Sequence, residues 1–159
     1  HKMFDFTRAL IHLRNEHPVF RRRRFLAGDA ARGGESDRGD IEWFSVNGEH
    51  MTDEEWTTAY AKALTISLNG ASIDEPGKRG ERVEDDDFIL MFNASEKDLE
   101  FTMPQWAHDL QWYRVIDTTA EQPIETDFER AKLLGSPETV TVRSRSIMVL
   151  ASPLADPSL

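Results

Sequence analysis

Four carboxylates stand in a row at Glu84-Asp85-Asp86-Asp87. Hydrolysis of a glycosidic bond uses two carboxyl groups on either side of that bond, roughly 5 to 10 Å apart. Neighbours in sequence cannot straddle a bond in this way, so the run reads as a solvated acidic turn. His12 and His17 fall on different faces of a helix, and no third ligand follows at a spacing that suits zinc. His50 and His108 lack the Ser and Asp context of a nucleophilic triad. Asp74-Glu75 and the segment Gly77 to Gly80 carry glycines without the strand, Lys and Ser/Thr of a phosphate-binding loop. The residues offer no nucleophile, metal site or cofactor motif, and no cofactor is expected.

Aromatic side chains are the remaining signal. Trp43, Trp56, Trp106 and Trp112 could stack on the apolar C–H faces of sugar rings. Each also lies in or beside an apolar segment where core packing explains it. Trp106 follows Pro104-Gln105 and is expected to be the most exposed, so Trp106 and Trp56 are the candidate carbohydrate-binding residues. The run Arg21 to Arg24 would suit a phosphate backbone, but Asp and Glu outnumber Lys and Arg by 29 to 19. The resulting field repels a polyanion, which argues against a nucleic-acid partner. These arginines are expected to lay their stems on apolar neighbours and pair their guanidinium groups with carboxylates or water.

The 159 residues, 39% hydrophobic with a formal charge of -10, fit one ordinary globular domain. No apolar run approaches the ~20 residues that span a bilayer, and no secretory core is seen. The lack of cysteine fits a reducing compartment, and the cytoplasm is the expected location. Asn93-Ala94-Ser95 is formally a glycosylation sequon, which has no use without export.

The elements follow from periodicity. Met3, Phe6, Leu10, Leu13 and His17 form the stripe of an amphipathic helix, widened by Phe4 and Ile11 and ended by Pro18. Val19 to Leu26 reads as an extended connector and Gly28 to Asp40 as a loop. Ile41 to Val46 is a short strand, Asn47-Gly48 a tight turn, and Glu49 to Met51 the return. Thr52 and Glu55 form a capping box for a brief helix carrying Trp56. Leu64, Ile66 and Leu68 alternate with polar residues in a strand that stops at Asn69-Gly70, and an irregular excursion runs from Ala71 to Asp87.

The most apolar run, Phe88 to Phe92, reads as a strand buried on both faces, and Leu99, Phe101 and Met103 as a second strand pairing with it in an antiparallel hairpin. Trp112 to Ile116, Thr139 to Val142 and Ser146 to Leu150 add three strands, with a loop over Thr118 to Pro137 and a frayed tail from Ser152. One helix followed by about eight short strands predicts a mainly β chain, an antiparallel β-sandwich.

Several stretches together resemble a known family. Leu10-Ile11-His12-Leu13-Arg14, then His17-Pro18-Val19-Phe20 and the arginines to Phe25, are similar to the last barrel helix and exit segment of bacterial isoamylase-type glycogen debranching enzymes. In the same order follow Asp40-Ile41-Glu42-Trp43, Met51 with Glu55-Trp56, Leu68-Asn69-Gly70, Asp86-Asp87-Phe88, Phe92-Asn93-Ala94 and Arg145-Ser146-Ile147-Met148-Val149-Leu150. Glu55 departs from the Asp of the family pattern.

The resemblance implies that residues 1–26 are the last helix and exit segment of a catalytic (β/α)8 barrel, and 27–159 its C-terminal β-sandwich. In that family the barrel hydrolyses α-1,6 branch linkages of glycogen or limit dextrin with carboxylates at the ends of barrel strands. None of those strands is in this chain, so no catalytic residue is carried over and the fragment is expected to be inactive by itself. Its expected partners are the barrel and, through the parent enzyme, glycogen or limit dextrin, with no membrane partner. The apolar helix face should pack on the sandwich or on a second copy of the chain. The alternatives are an autonomous glucan-binding module, which predicts two exposed Trp side chains in one plane, and an unrelated all-β interaction domain.

Overall fold

The amphipathic stripe folds as α1, Lys2–Glu16, in a computed structural model that describes residues 1–28, 38–58 and 62–155. Pro18 forces His17 into an extended conformation and stops the helix there. The chain then makes a single 3-10 turn, Pro18–Phe20, which sinks Val19 into the core. Most of the expected loop from Gly28 to Asp40, and the last four residues of the expected tail, lie outside the described residues.

Among the described residues eight antiparallel strands follow: β1 Ile41–Phe44, β2 Ala63–Leu68, β3 Asp87–Asn93, β4 Leu99–Thr102, β5 Trp112–Asp117, β6 Lys132–Gly135, β7 Thr139–Val142 and β8 Ser146–Ser152. They form a six-stranded sheet in the order β1-β2-β3-β8-β5-β6 and a two-stranded sheet of β4 and β7. The architecture is the expected one, mainly antiparallel β with a helix at its N-terminus.

β3 is buried on both faces, as its unbroken apolar run requires. Ile89 and Met91 join Phe101, Met103, Trp112, Val142 and Leu150 in the core between the two sheets. Phe88 and Leu90 point the other way, into a second core with Leu13, Val19, Ile73, Val115 and Ala151. The last turn of α1 and the 71–83 excursion thus lie over the outer face of the large sheet.

The expected hairpin between β3 and β4 does not form, because the two strands lie in different sheets. Seven residues of β3 find six register partners on β2 and seven on β8. The four residues of β4 could not match that, and they pair with β7 instead. Asn93 fixes the departure. It is buried, its Nδ2 donates to the carbonyls of Lys97, Val142 and Arg143, and its Oδ1 accepts from the N–H and hydroxyl of Ser95. A side chain so engaged has no free amide for a glycan, so the sequon is structural.

Other expectations hold with adjustments. The Asn47-Gly48 turn forms, with Gly48 at φ +77° and its N–H donating to Ser45 O, but its return strand is reduced to one bridge, Phe44 to His50. Thr52 and Glu55 make the reciprocal capping box of α2, Asp53–Thr57. The stretch expected to be loop contains β6, a half-exposed edge strand whose Lys and Gly gave no alternation to read. β8 continues through Ser152, where a frayed tail was expected.

Candidate functional site

The acidic run is a joint, which corrects its reading as a solvated turn. Only Glu84 faces water, beside Arg82 at 3.2 Å. Asp85 is buried; its Oδ1 accepts from His17 Nδ1–H at 2.7 Å and its Oδ2 from the N–H of Val19 at 3.1 Å. Asp86 accepts from the N–H of Leu154 at 2.7 Å. Asp87 accepts from Arg38 Nη2 at 3.0 Å and from the N–H of Gly70 at 2.9 Å. A carboxylate run placed where two segments meet receives donors from both, and burial follows because those donors replace water.

A second acid completes the joint. Asp40 is buried and faces Arg22, whose Nη1 lies 3.2 Å from its Oδ2. The N–H groups of Ala27, Gly28 and Ile41 also donate to its carboxylate, at 2.9, 2.8 and 2.8 Å. Arg22 donates its Nη2 to Ile73 O, while the N–H groups of Arg23 and Arg24 share Glu75 Oε1. The expectation that these arginines pair with carboxylates is met by Arg22 and, at the surface, by Arg24 with Asp74.

All of this lies at one end of the large sheet. Ile41 pairs with Leu68, Leu68 with Phe88, and Asp87 with Ser152. The start of β1, the end of β2, the start of β3 and the end of β8 therefore sit side by side. Three basic side chains from the segment before β1, His17, Arg22 and Arg38, are met there by Asp85, Asp40 and Asp87.

His17, Asp85 and Asp86 bring ligand atoms within 4.8 Å of one another, a group that the sequence spacing did not foreshadow. Its donors and acceptors serve the joint: Asp85 uses both oxygens, and its Oδ1 also accepts from the N–H of Asp86. The His17 ring stands edge-on to Phe20 and Phe88, at 6.4 and 4.9 Å between centroids. Burial disfavours its charged form, but the hydrogen bond to Asp85 and the charges of Asp85, Asp86 and Glu16 outweigh that and raise its pKa above the ordinary 6.5. Asp86 is also raised, chiefly by burial.

The His17 shift makes stability depend on pH. A group whose folded pKa is raised lends stability in full below its unfolded pKa and loses it as pH climbs through the folded value. Between mildly acidic and mildly alkaline pH the domain is expected to lose stability. Urea titrations at pH 6 and pH 8.5 should show the loss in the native chain and a much flatter response in His17→Gln. An equal pH response in the two proteins would refute the assignment to His17.

The helix beyond the joint is bare. Leu13 alone among its residues is buried, while Met3, Phe4 and Ile11 are 70%, 64% and 56% exposed, and Phe25, after the 3-10 turn, is wholly in water. The expected packing of this face on the sandwich is confined to the last turn.

The tryptophans divide differently from expectation. Trp112 is fully buried with its Nε1–H donating to Ala107 O. Trp106, expected to be the most exposed, is half-buried: Arg38 lies 3.9 Å above its ring and Trp112 covers one edge. Trp56 and Trp43 are the exposed ones, at 49% and 36%. Their rings meet edge to face, 5.1 Å apart at 70°, and do not form the coplanar shelf that an autonomous module predicts.

The family model described as isoamylase, C-terminal, matches residues 40–151. The chain belongs to that family. The match begins at Asp40, so the isoamylase C-terminal domain holds the joint's acids, Asp40, Asp85 and Asp87, while its basic side chains, His17, Arg22 and Arg38, come from the segment before it. The chain is 40% identical over 152 residues to the glycogen operon protein GlgX homolog of Mycobacterium tuberculosis (strain H37Rv), and equally to that of Mycobacterium bovis. It is 23% identical over 115 residues to the isoamylase of Pseudomonas amyloderamosa. These alignments cover 96% and 72% of this chain but only 20% and 12% of the relatives. No helix among the described residues is long and apolar enough to cross a membrane.

Proposed function

We propose that this isoamylase C-terminal domain is the non-catalytic sandwich of a glycogen-debranching α-1,6-glucosidase, and that residues 1–26 complete and anchor its catalytic barrel. The observation that carries this reading is the division of α1: its last turn is locked to the sandwich by Leu13 and His17, while the rest presents Met3, Phe4 and Ile11 to water. A helix held at one end and apolar at the other fits a layer supplied by another part of the molecule. The names of the relatives, and the fifth of their length that this chain spans, point to a large catalytic region as that layer. The joint then transmits the position of the barrel's last helix to the sandwich through three charge pairs. In this reading the parent acts on glycogen or limit dextrin in the cytoplasm, and this chain alone hydrolyses nothing. Without the barrel, the same face pairs two copies of the chain.

Co-expression of this chain with the matching N-terminal barrel fragment, assayed for release of linear chains from a branched limit dextrin, tests the proposal. Activity is expected only when both pieces are present. Phe4→Glu with Ile11→Glu should abolish that rescue and leave the urea midpoint of this chain unchanged, because both side chains are already in water. Rescue that survives the double substitution would overturn the role of the helix, and an inactive mixture would overturn the proposal.

A further inference from the structure

α2 is five residues long and buries none of them. A capping box holds it in place, and its single large apolar side chain, Trp56, packs edge to face with Trp43 while staying half in water. Core formation therefore does not account for this helix. Its effect is to place a second indole beside the one on β1.

The chemistry around the pair narrows what it could bind. From Ile41 to Thr58 there is no Lys or Arg, and the segment carries Glu42, Glu49, Asp53, Glu54 and Glu55. Anionic ligands, among them nucleic acids and acidic lipid surfaces, are disfavoured there. The hydroxyls of Thr52, Thr57 and Thr58 are engaged by the capping box and by the carbonyls of Asp53 and Glu54, so the polar groups left for a ligand are the carboxylates. Exposed apolar rings bordered by hydrogen-bond-accepting carboxylates suit a neutral ligand with C–H faces and many hydroxyl donors, which is a sugar chain.

The 70° between the rings sets the kind of chain. A flat β-linked glucan would lie along coplanar rings. Rings set at a steep angle suit a chain that turns between one contact and the next, as an α-1,4-linked glucan does. We infer that Trp43 and Trp56 form an angled aromatic clamp for a linear α-glucan segment, a surface site outside the joint.

Trp43 shares a sheet face with Ile41, which packs in the core that also holds Leu13 of α1. The clamp thus opens on the α1 side of the sandwich, where a bound glucan would run beside the proposed barrel. This inference rests on the reading of the parent as a glucan hydrolase.

The test titrates maltoheptaose, and cellohexaose as the flat control, into the intact chain while following the indole N–H resonances. Maltoheptaose is expected to move the signals of Trp43 and Trp56 and leave that of buried Trp112 in place, with no response to cellohexaose. Trp43→Ala or Trp56→Ala should weaken binding about tenfold, and Trp56→Phe should restore part of it. Since α2 adds nothing to the core, the circular dichroism of the Trp56 variants should match the native chain. Absence of any shift, unchanged affinity in both alanine variants, or an equal response to cellohexaose would overturn the clamp. Loss of the Trp43 and Trp56 response when the barrel fragment alone binds would overturn it too, assigning the pair to a protein contact. Rescue of the barrel is scored on the same preparations, so a failed clamp with intact rescue is distinguished from failure of the parent reading.

Discussion

Gly70→Ala is expected to cost about 3 kcal/mol or more, a large share of the roughly 5 to 15 kcal/mol that holds a domain folded. A methyl group at this position would sit 1.9 Å from the carbonyl oxygen of Asp85 and 2.5 Å from that of Asp86. Both obstacles are backbone atoms, so no side-chain rotation relieves them. The backbones cannot drift apart freely either, because Asp85 N–H donates to Gly70 O at 3.0 Å and Gly70 N–H to Asp87 Oδ1 at 2.9 Å. Moving Asp85 also pulls its carboxylate from His17 and Val19, so the clash spreads into the anchoring of α1. Gly80→Ala is the matched control. Gly80 has φ +82° but nothing within 4 Å of the added carbon, so only the strain of a left-handed residue applies, about 1 kcal/mol. Urea denaturation followed by circular dichroism should separate the two clearly, and a Gly70→Ala midpoint as high as that of Gly80→Ala would show that the β2–β3 junction is looser than its geometry requires.

The pattern of the sequence carried the elements further than their connections. Helix α1, the capping box, the Asn47-Gly48 turn and the two-sided burial of β3 each follow from a few neighbouring residues, where periodicity and capping chemistry act. The partnership of β3 does not. Its run of five apolar residues says that both faces are covered, but the choice between β4 and β8 depends on matching strand lengths across 53 residues, Asn93 to Ser146. The joint was hidden for the same reason. The run Glu84 to Asp87 reads as a solvated turn because its partners are remote: His17 is 68 residues from Asp85 and Arg38 is 49 from Asp87. Trp106 misled through Pro104-Gln105, which does mark a turn. That turn packs Ala107 into the core and brings the indole beneath Arg38, whose own position is set by Asp87.

Asp40→Ala should destabilise the domain by about 3 to 5 kcal/mol, the range for stripping one partner from a buried charge pair. The carboxylate does two jobs that different substitutions separate. It neutralises Arg22, and it caps the N–H groups of Ala27, Gly28 and Ile41. Arg22→Met removes the charge and leaves the three N–H donors with their acceptor, so it should cost clearly less. Arg22→Met with Asp40→Leu replaces the pair by apolar groups, a change often neutral for an isolated ion pair. Here it should remain nearly as damaging as Asp40→Ala, because three backbone donors stay without an acceptor, at about 1 to 3 kcal/mol for each one that water cannot reach. Native-like stability in the double variant would mean that the charge pair is the whole role of Asp40. The expected result instead makes Asp40 the peg around which the exit segment is wound. In that case the same substitution should also abolish rescue of the barrel, although Asp40 lies far in sequence from the apolar face of α1.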